Sequence, residues 1–372
     1  MPHTPFGLAK RYAALLFGSL LAHSAAAQTT YTVTTIGVLP GCVSSAANNL
    51  NDQGVVVGQC WTQNVAVSTG FVWQNGVLTS TGKLAKGTYS VATAVNASGT
   101  VAGEGDSGSA AMLGWVKRDG NLVNFFSNNG GLTRVVHIAD DGTIGGRYTS
   151  SQSGWVASGK GALWQPDAKD PRKYRKIILP ILPGGSDPKL SYAFPNAFNQ
   201  QGQAAGWANN DVLGQRAVMW KNDAAHSIVD LGTGIEGFNP TANGMNDLGQ
   251  VVGETSNGAF SQPVLWNNDE THSATVLAVL PGDDGGYALD INNQGDVLGT
   301  SIDFDLSINT VSTARPIVWQ SGVPVELQTA LDPITGAGVV LTEVKALNNA
   351  GQVVGTALVN GQTRAVLLTP TP

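Results

Sequence analysis

An eight-residue turn, Asn-x-x-Gly-x-h-h-Gly with h mostly apolar, returns seven times in this chain, most clearly as Asn246-Asp247-Leu248-Gly249-Gln250-Val251-Val252-Gly253. The other copies run from Asn51 to Gly58, Asn96 to Gly103, Ala139 to Gly146, Asn199 to Gly206, Asn292 to Gly299 and Asn348 to Gly355, and only Ala139 has lost the leading Asn. Successive first glycines stand 45, 43, 60, 47, 46 and 56 residues apart. Periods of this size mark one supersecondary unit stacked many times.

The turn has a readable physics. Asn at its first corner can bond the backbone two residues on, and Gly at its last can take positive φ without a Cβ clash. Such a turn joins two antiparallel strands, often through a bulge. The residue before each copy is apolar: Leu50, Val95, Ile138, Phe198, Met245, Ile291 and Leu347. The second glycine falls inside the outgoing strand, where glycine marks close approach by another backbone or a bulky ring.

After that glycine come a polar connection and a third strand, ending in five copies at Trp73, Trp164, Trp220, Trp266 and Trp319. Lys117 and Leu368 hold the place in the other two, with Trp115 two residues before Lys117. A Gly/Asn/Asp turn then leads to a fourth strand, as in Tyr174 to Leu182, Ser227 to Gly232 and Thr275 to Leu280. Tryptophans at a fixed repeat position are expected to pack sheet on sheet, each burying roughly 150–250 Å².

The last repeat offers only three strands, Thr342 to Leu347, Gln352 to Val359 and Thr363 to Thr369, while a stray strand at 31–39 precedes the first turn. Its ending, Val38-Leu39-Pro40-Gly41, matches the fourth-strand ending Val279-Leu280-Pro281-Gly282. Pairing of 31–39 with the repeat at 342–369 removes both open ends of the stack. The expected fold is all-β: a single domain over 28–372 forming a seven-bladed β-propeller of four-stranded antiparallel blades, closed by the N-terminal strand. A parallel β-helix is the rival, though it leaves no complementary half-repeats at the ends.

Residues 1–27 read as a secretory signal peptide: Lys10-Arg11, an apolar stretch from Tyr12 to Ala22, then Ala25-Ala26-Ala27 as a cleavage site. A retained interfacial anchor is the alternative. The chain beyond carries 18 basic against 26 acidic residues, a balance that disfavours nucleic acid. No C-terminal membrane anchor is evident, and the expected location is extracellular or periplasmic. The two cysteines, Cys42 and Cys60, flank the first turn; export permits a bridge worth about 3 kcal/mol in the chain-entropy picture, two free thiols being the other possibility.

Ala288 to Gly299, Val264-Leu265-Trp266 and Val229-Asp230-Leu231-Gly232 carry a resemblance over nearly the whole chain to the HAF family of probable extracellular repeat proteins. The resemblance implies an exported bacterial repeat protein and brings no assigned activity. The family's His-Ala-Phe triplet is absent, its histidine place being taken by Thr69, Leu113, Lys160, Arg216, Gln262, Arg315 and Arg364.

From second glycine to tryptophan place, the connections between second and third strands span 15, 14, 18, 14, 13, 20 and 13 residues, so the third and sixth carry insertions on one face. Long loops on rigid scaffolds are where binding resides. The candidate binding residues there are Arg147, Tyr148, Trp207, Asp303 and Asp305, with Asp187, Tyr192, Asn209, Asp211, Asp283 and Asp284 around them. Trp207 stands where other copies have Gln59, Glu104, Arg147, Glu254, Thr300 and Thr356. No catalytic residue, metal site or cofactor is expected: His137, His226 and His272 occupy unrelated repeat places, and Asp140-Asp141 and Asp283-Asp284 read as turn formers. The chain is expected to be a binding or scaffold module for an extracellular glycan or protein. The alternative is a secreted carbohydrate-active hydrolase or lyase with acidic residues at the channel mouth.

Overall fold

Each turn closes as its sequence requires. Asn51 Oδ1 accepts from Gln53 N at 3.1 Å and Val55 N at 2.9 Å, while Gly54, at φ +71°, returns its N–H to Asn51 O. The strand before the turn is bulged in all seven copies, at Ala47/Asn49, Ala92/Ala94, Val135/His137, Pro195/Ala197, Ala242/Gly244, Ala288/Asp290 and Val344/Ala346. The bulge drives a carbonyl of that strand onto the second glycine. A Cβ at Gly253 would stand 1.9 Å from Thr241 O, and at the other six second glycines a backbone oxygen lies within 2.3 Å. No side chain fits there.

The computed structural model describes residues 29–108, 112–126, 132–149, 159–170, 172–186, 191–232, 238–256, 260–305 and 310–371. The expected export signal at 1–27 and Asp187 lie outside them. The described residues hold twenty-eight strands and no helix. After β1 (Thr30–Ile36) comes the sheet β2 (Ser44–Leu50), β3 (Val56–Trp61), β4 (Ser68–Gln74) and β5 (Val77–Gly82). The next is β6 (Ser90–Val95), β7 (Val101–Gly105), β8 (Leu113–Arg118) and β9 (Asn121–Phe126). The third repeat gives β10 (Thr133–Ile138), β11 (Ile144–Tyr148), β12 (Lys160–Pro166) and β13 (Tyr174–Ile178), and the fourth β14 (Tyr192–Phe198), β15 (Ala204–Asn210), β16 (Gly214–Trp220) and β17 (Ile228–Asp230). Then follow β18 (Phe238–Met245), β19 (Val251–Ser256), β20 (Ser261–Trp266) and β21 (Ala274–Val276), and next β22 (Gly285–Ile291), β23 (Val297–Asp305), β24 (Thr310–Gln320) and β25 (Val323–Glu326). Last come β26 (Val339–Leu347), β27 (Val353–Val359) and β28 (Gln362–Thr371).

Strand β1 lies antiparallel against β28, from Thr30 opposite Thr371 to Ile36 opposite Ala365, and completes a four-stranded sheet with β26 and β27. The sequence expects seven sheets of four strands. The structure has six, five of four strands and one of eight, because a single parallel bridge between Lys160 and Ala193 fuses β10–β13 with β14–β17. The sixth insertion, expected as a loop, is instead a strand extension: β23 and β24 continue to Asp305 and from Thr310.

Apolar clusters lie between neighbouring sheets. One joins Ile36, Val354, Ala365 and Leu367 of the last sheet to Ala47, Val56 and Phe71 of the first. Trp164, Trp220, Trp266 and Trp319 are fully buried, at ~25 cal/mol per Å² worth about 4–6 kcal/mol each in transfer free energy. Trp73 is a correction: it is only half-buried, and Phe71 fills the core in its sheet as Trp115 does in the next. Phe71 and Trp115 sit directly across from Gly58 and Gly103, two residues from the usual tryptophan place, and period-two alternation keeps both positions on one face. Cys42 and Cys60 form a disulfide beside this core, a bond of the kind that persists in oxidising compartments.

Two glycine substitutions separate packing from dihedral freedom. Gly253→Ala should lower stability by roughly 3 kcal/mol or prevent folding, because backbone fills the space. Gly295→Ala, at φ +84° with nothing within 4 Å of a new Cβ, should cost about 1 kcal/mol. Thermal denaturation of the two variants checks the order; equal losses would contradict it.

Candidate functional site

The leading asparagines do more than cap their own turns. Asn51 Nδ2 donates to Asn96 O at 2.8 Å, Asn96 to Ala139 O at 3.0 Å, Asn199 to Asn246 O at 3.1 Å, Asn246 to Asn292 O at 3.0 Å and Asn292 to Asn348 O at 3.3 Å. Asn348 donates to Asn51 O at 3.1 Å, so the last turn is bonded to the first. All six are buried. The following residues repeat the theme: Asn349 N donates to Asp52 Oδ1, Asn293 N to Asn349 Oδ1, and Asp247 N to Asn293 Oδ1. These turns line a cavity of about 180 Å³. The bulged residues Asn48, Thr93, Val136, Asn196, Asn243, Leu289 and Lys345 line a second, of about 290 Å³.

Two titratable groups, His137 and Asp290, border both cavities. Burial pushes the Asp290 carboxyl up to about 6, against hydrogen bonds from Leu347 N and Ile291 N. Burial lowers the His137 imidazole to about 4, against the pull of Asp140, Asp247 and Asp141.

A third cavity, of about 420 Å³, opens beside Ala139 between the third and fourth repeats. Asp140, Asp141, His137, Phe198 and His226 are among its lining residues. Carboxylates and an aromatic ring thus share a pocket on the turn side, away from the long connections where the sequence places its candidates.

On the side of the long connections, the strands bring some candidates together. Arg147 in β11 holds its guanidinium 5.3 Å from the Phe194 ring centre. The Phe194 ring lies 4.9 Å from Trp207, and Tyr192 meets Trp207 edge-on at 5.5 Å. Behind them Arg134 Nη1 donates to the buried Glu104 Oε1 at 2.7 Å across the second and third sheets. Burial pushes the Glu104 carboxyl up to about 7, opposed by Arg134, the Val135 amide and Arg147.

The other candidates lie apart. Tyr148 is buried against Trp164 with the Lys176 ammonium 4.0 Å over its ring, which makes it a core residue. Asp303 accepts from Ser312 Oγ on the β23–β24 hairpin, where Asp305 pairs with Thr310. Asp283 is buried against Arg315 and Ser301, Asp284 accepts from Phe304 N, and Asp211 accepts from Ser186. Asn209 pairs with Tyr192 in the β14–β15 ladder. Among the described residues no three His, Cys, Asp or Glu side chains are placed to hold a metal ion.

Glu104, Arg134, Phe194 and Phe198 are site residues that the sequence does not mark as such. A signal existed for Glu104, which shares its repeat position with Arg147. Opposite charges at one position in successive copies point to pairing between sheets. Phe198 could have been read from Gly145, the small residue standing where other copies have Val57, Ala102, Ala205, Val252, Leu298 and Val354.

No protein-family model and no curated protein matches the sequence. Solved structures do match in shape. The β-propeller domain of the trilobed protease from Pyrococcus furiosus, described as having an open velcro topology, superposes at TM-score 0.54 with 10% identity, over 88% of this chain and 94% of that one. Oligogalacturonate lyase from Vibrio parahaemolyticus gives 0.57 at 11% identity, over 91% and 97%. Acylaminoacyl peptidase from Pyrococcus horikoshii gives 0.52 at 9% identity; the match covers 89% of this chain and 52% of the peptidase. The likeness is one of fold: an all-β, β-propeller-like architecture.

The Glu104 carboxyl binds its proton more tightly folded than unfolded, so stability falls as pH rises from about 4.5 through about 7. Glu104→Gln should lose this slope. Melting temperatures of the two proteins from about pH 5 to about pH 8 should therefore shift in the variant's favour as pH rises. Parallel curves would contradict the assignment.

Proposed function

We propose that the chain is an exported binding module, folded as one closed ring of seven four-stranded blades and related to the HAF repeat proteins. The single parallel bridge between the third and fourth repeats joins two blades without merging their cores. The β1–β28 pairing and the bond from Asn348 to Asn51 O support closure of the ring. The disulfide fits the export expected from residues 1–27.

One observation carries the binding reading. Repetition in this chain preserves turn caps, glycines and core rings, while the side chains that break repetition on the long-connection side gather as Arg147, Phe194, Trp207 and Tyr192. A half-buried indole flanked by a phenol, with a guanidinium over the adjoining Phe194 ring, offers a stacking surface near hydrogen-bond donors, which suits a glycan. Asp303 and Asp305 belong to the hairpin of the sixth repeat and would form a separate contact. The competing reading, a polysaccharide lyase or hydrolase, draws on the likeness to oligogalacturonate lyase and on the pocketed Asp140 and Asp141.

A glycan and polysaccharide binding screen with the purified mature chain separates these readings. We expect retention of at least one glycan without change to it, and a loss of about tenfold in Trp207→Ala at unchanged melting temperature. Undiminished binding by the variant, or release of shortened products, would count against the proposal.

A further inference from the structure

Ala139 begins the one turn without a carboxamide. The turn keeps its own shape by substitution: Gly142 N donates to Ala139 O at 2.9 Å, and Asp141 Oδ1 accepts from Thr143 N at 2.8 Å, the bond that Asn Oδ1 makes elsewhere. Its outward bond has no substitute. The neighbouring carbonyl, Asn199 O, accepts Gly202 N within its own turn, and among the described residues no side-chain amide reaches it.

The loss has left room where a collapsed gap was the alternative. The cavity of about 420 Å³ beside Ala139 falls within the usual range of small-molecule sites, roughly 300–1,000 Å³. A second small residue shapes it: the Phe198 ring occupies the space of a side chain at Gly145, with ring carbons 2.5 Å from where a Cβ would be. Phe198 also stacks on His137, centroids 5.8 Å apart and planes 19° from parallel. His137 Nε2 is sealed from solvent and has no hydrogen-bond partner. Polar atoms so placed are normally satisfied. With its imidazole held neutral by burial, His137 can offer either a donor or an acceptor. The rest of the lining mixes amides and carboxylates, Gln165, Gln200, Asn222, Asp140 and Asp141 among them, with Thr143, His226 and the apolar Leu163.

We propose that this break in the asparagine cycle binds an uncharged saccharide unit, one of whose hydroxyl or amide donors takes the place of the missing carboxamide on Asn199 O. The carboxylates of Asp140 and Asp141 accept further hydroxyls beside the His137 ring. Saccharides fit because the lining offers many planar acceptors and donors; acidic ligands are disfavoured by the two carboxylates. The site lies at the opposite end of β11 from Arg147, so it does not depend on the Trp207 surface.

The test restores the seventh carboxamide. Saturation-transfer NMR on the full chain, with glucose, galactose, N-acetylglucosamine and the charged glucosamine at millimolar concentration, reads occupancy. We expect a signal from at least one neutral sugar, weakened about tenfold or more in Ala139→Asn. That variant should also melt roughly 2 °C higher, because the cycle gains a buried hydrogen bond. His137→Leu, which replaces a lining imidazole without adding charge, should weaken the signal as well and covers the case in which Ala139→Asn misfolds. Undiminished binding in both variants, silence from every neutral sugar, or a response to glucosamine alone would each overturn the proposal. Trp207→Ala should leave this signal intact, which keeps the two sites distinguishable.

Discussion

A single side-chain amide does two jobs in six of the seven turns, and the rest of the structure depends on it. Its oxygen takes the N–H groups that a tight turn leaves unpaired, and its nitrogen crosses to the next turn's carbonyl. The side chain is buried in every case, so both ends are made in a low-dielectric setting where an unmade bond is costly. Local turn geometry and the spacing between repeats are therefore set by one group. The strand before the turn is bulged in all seven copies, the one that begins with Ala139 included, and the bulge presses a carbonyl onto the second glycine. The second glycine follows from the bulge.

Much of this was legible because it is local and repeated. Asn, first glycine, apolar pair and second glycine each answer a backbone need that holds in every copy. What escaped is relational. Trp73 yields its core place to Phe71 because only the cross-strand partner, Gly58, decides which aromatic has room. The sixth insertion became strand because its two halves, Val297–Asp305 and Thr310–Gln320, pair with each other, a fact no single-strand pattern contains. The Glu104–Arg134 pair joins two sheets and appears only when the repeats are laid side by side.

The candidate site shows the same division. Trp207 stands out in the sequence by its odd residue type, and it sits against Tyr192 and Phe194, with Arg147 over the Phe194 ring. Tyr148 was chosen for its position and is core. The pocket beside Ala139 is not legible as a pocket, although two of the departures that shape it, an Asn lost at Ala139 and an apolar side chain lost at Gly145, stand in the sequence. Symmetry makes the scaffold, and departures from symmetry make its cavities and its aromatic cluster.

The proposed closure of the ring requires the first described strand, β1, to be held firmly against β28. Hydrogen–deuterium exchange of the amides in β1 measures this directly. We expect the β1 amides that face β28 to exchange as slowly as those of Val353 to Val359 in β27, which lies on the other side of β28, while the alternate amides of this edge strand exchange faster. Exchange of β1 at the rate of a frayed terminus, with β27 still protected, would contradict a sealed ring.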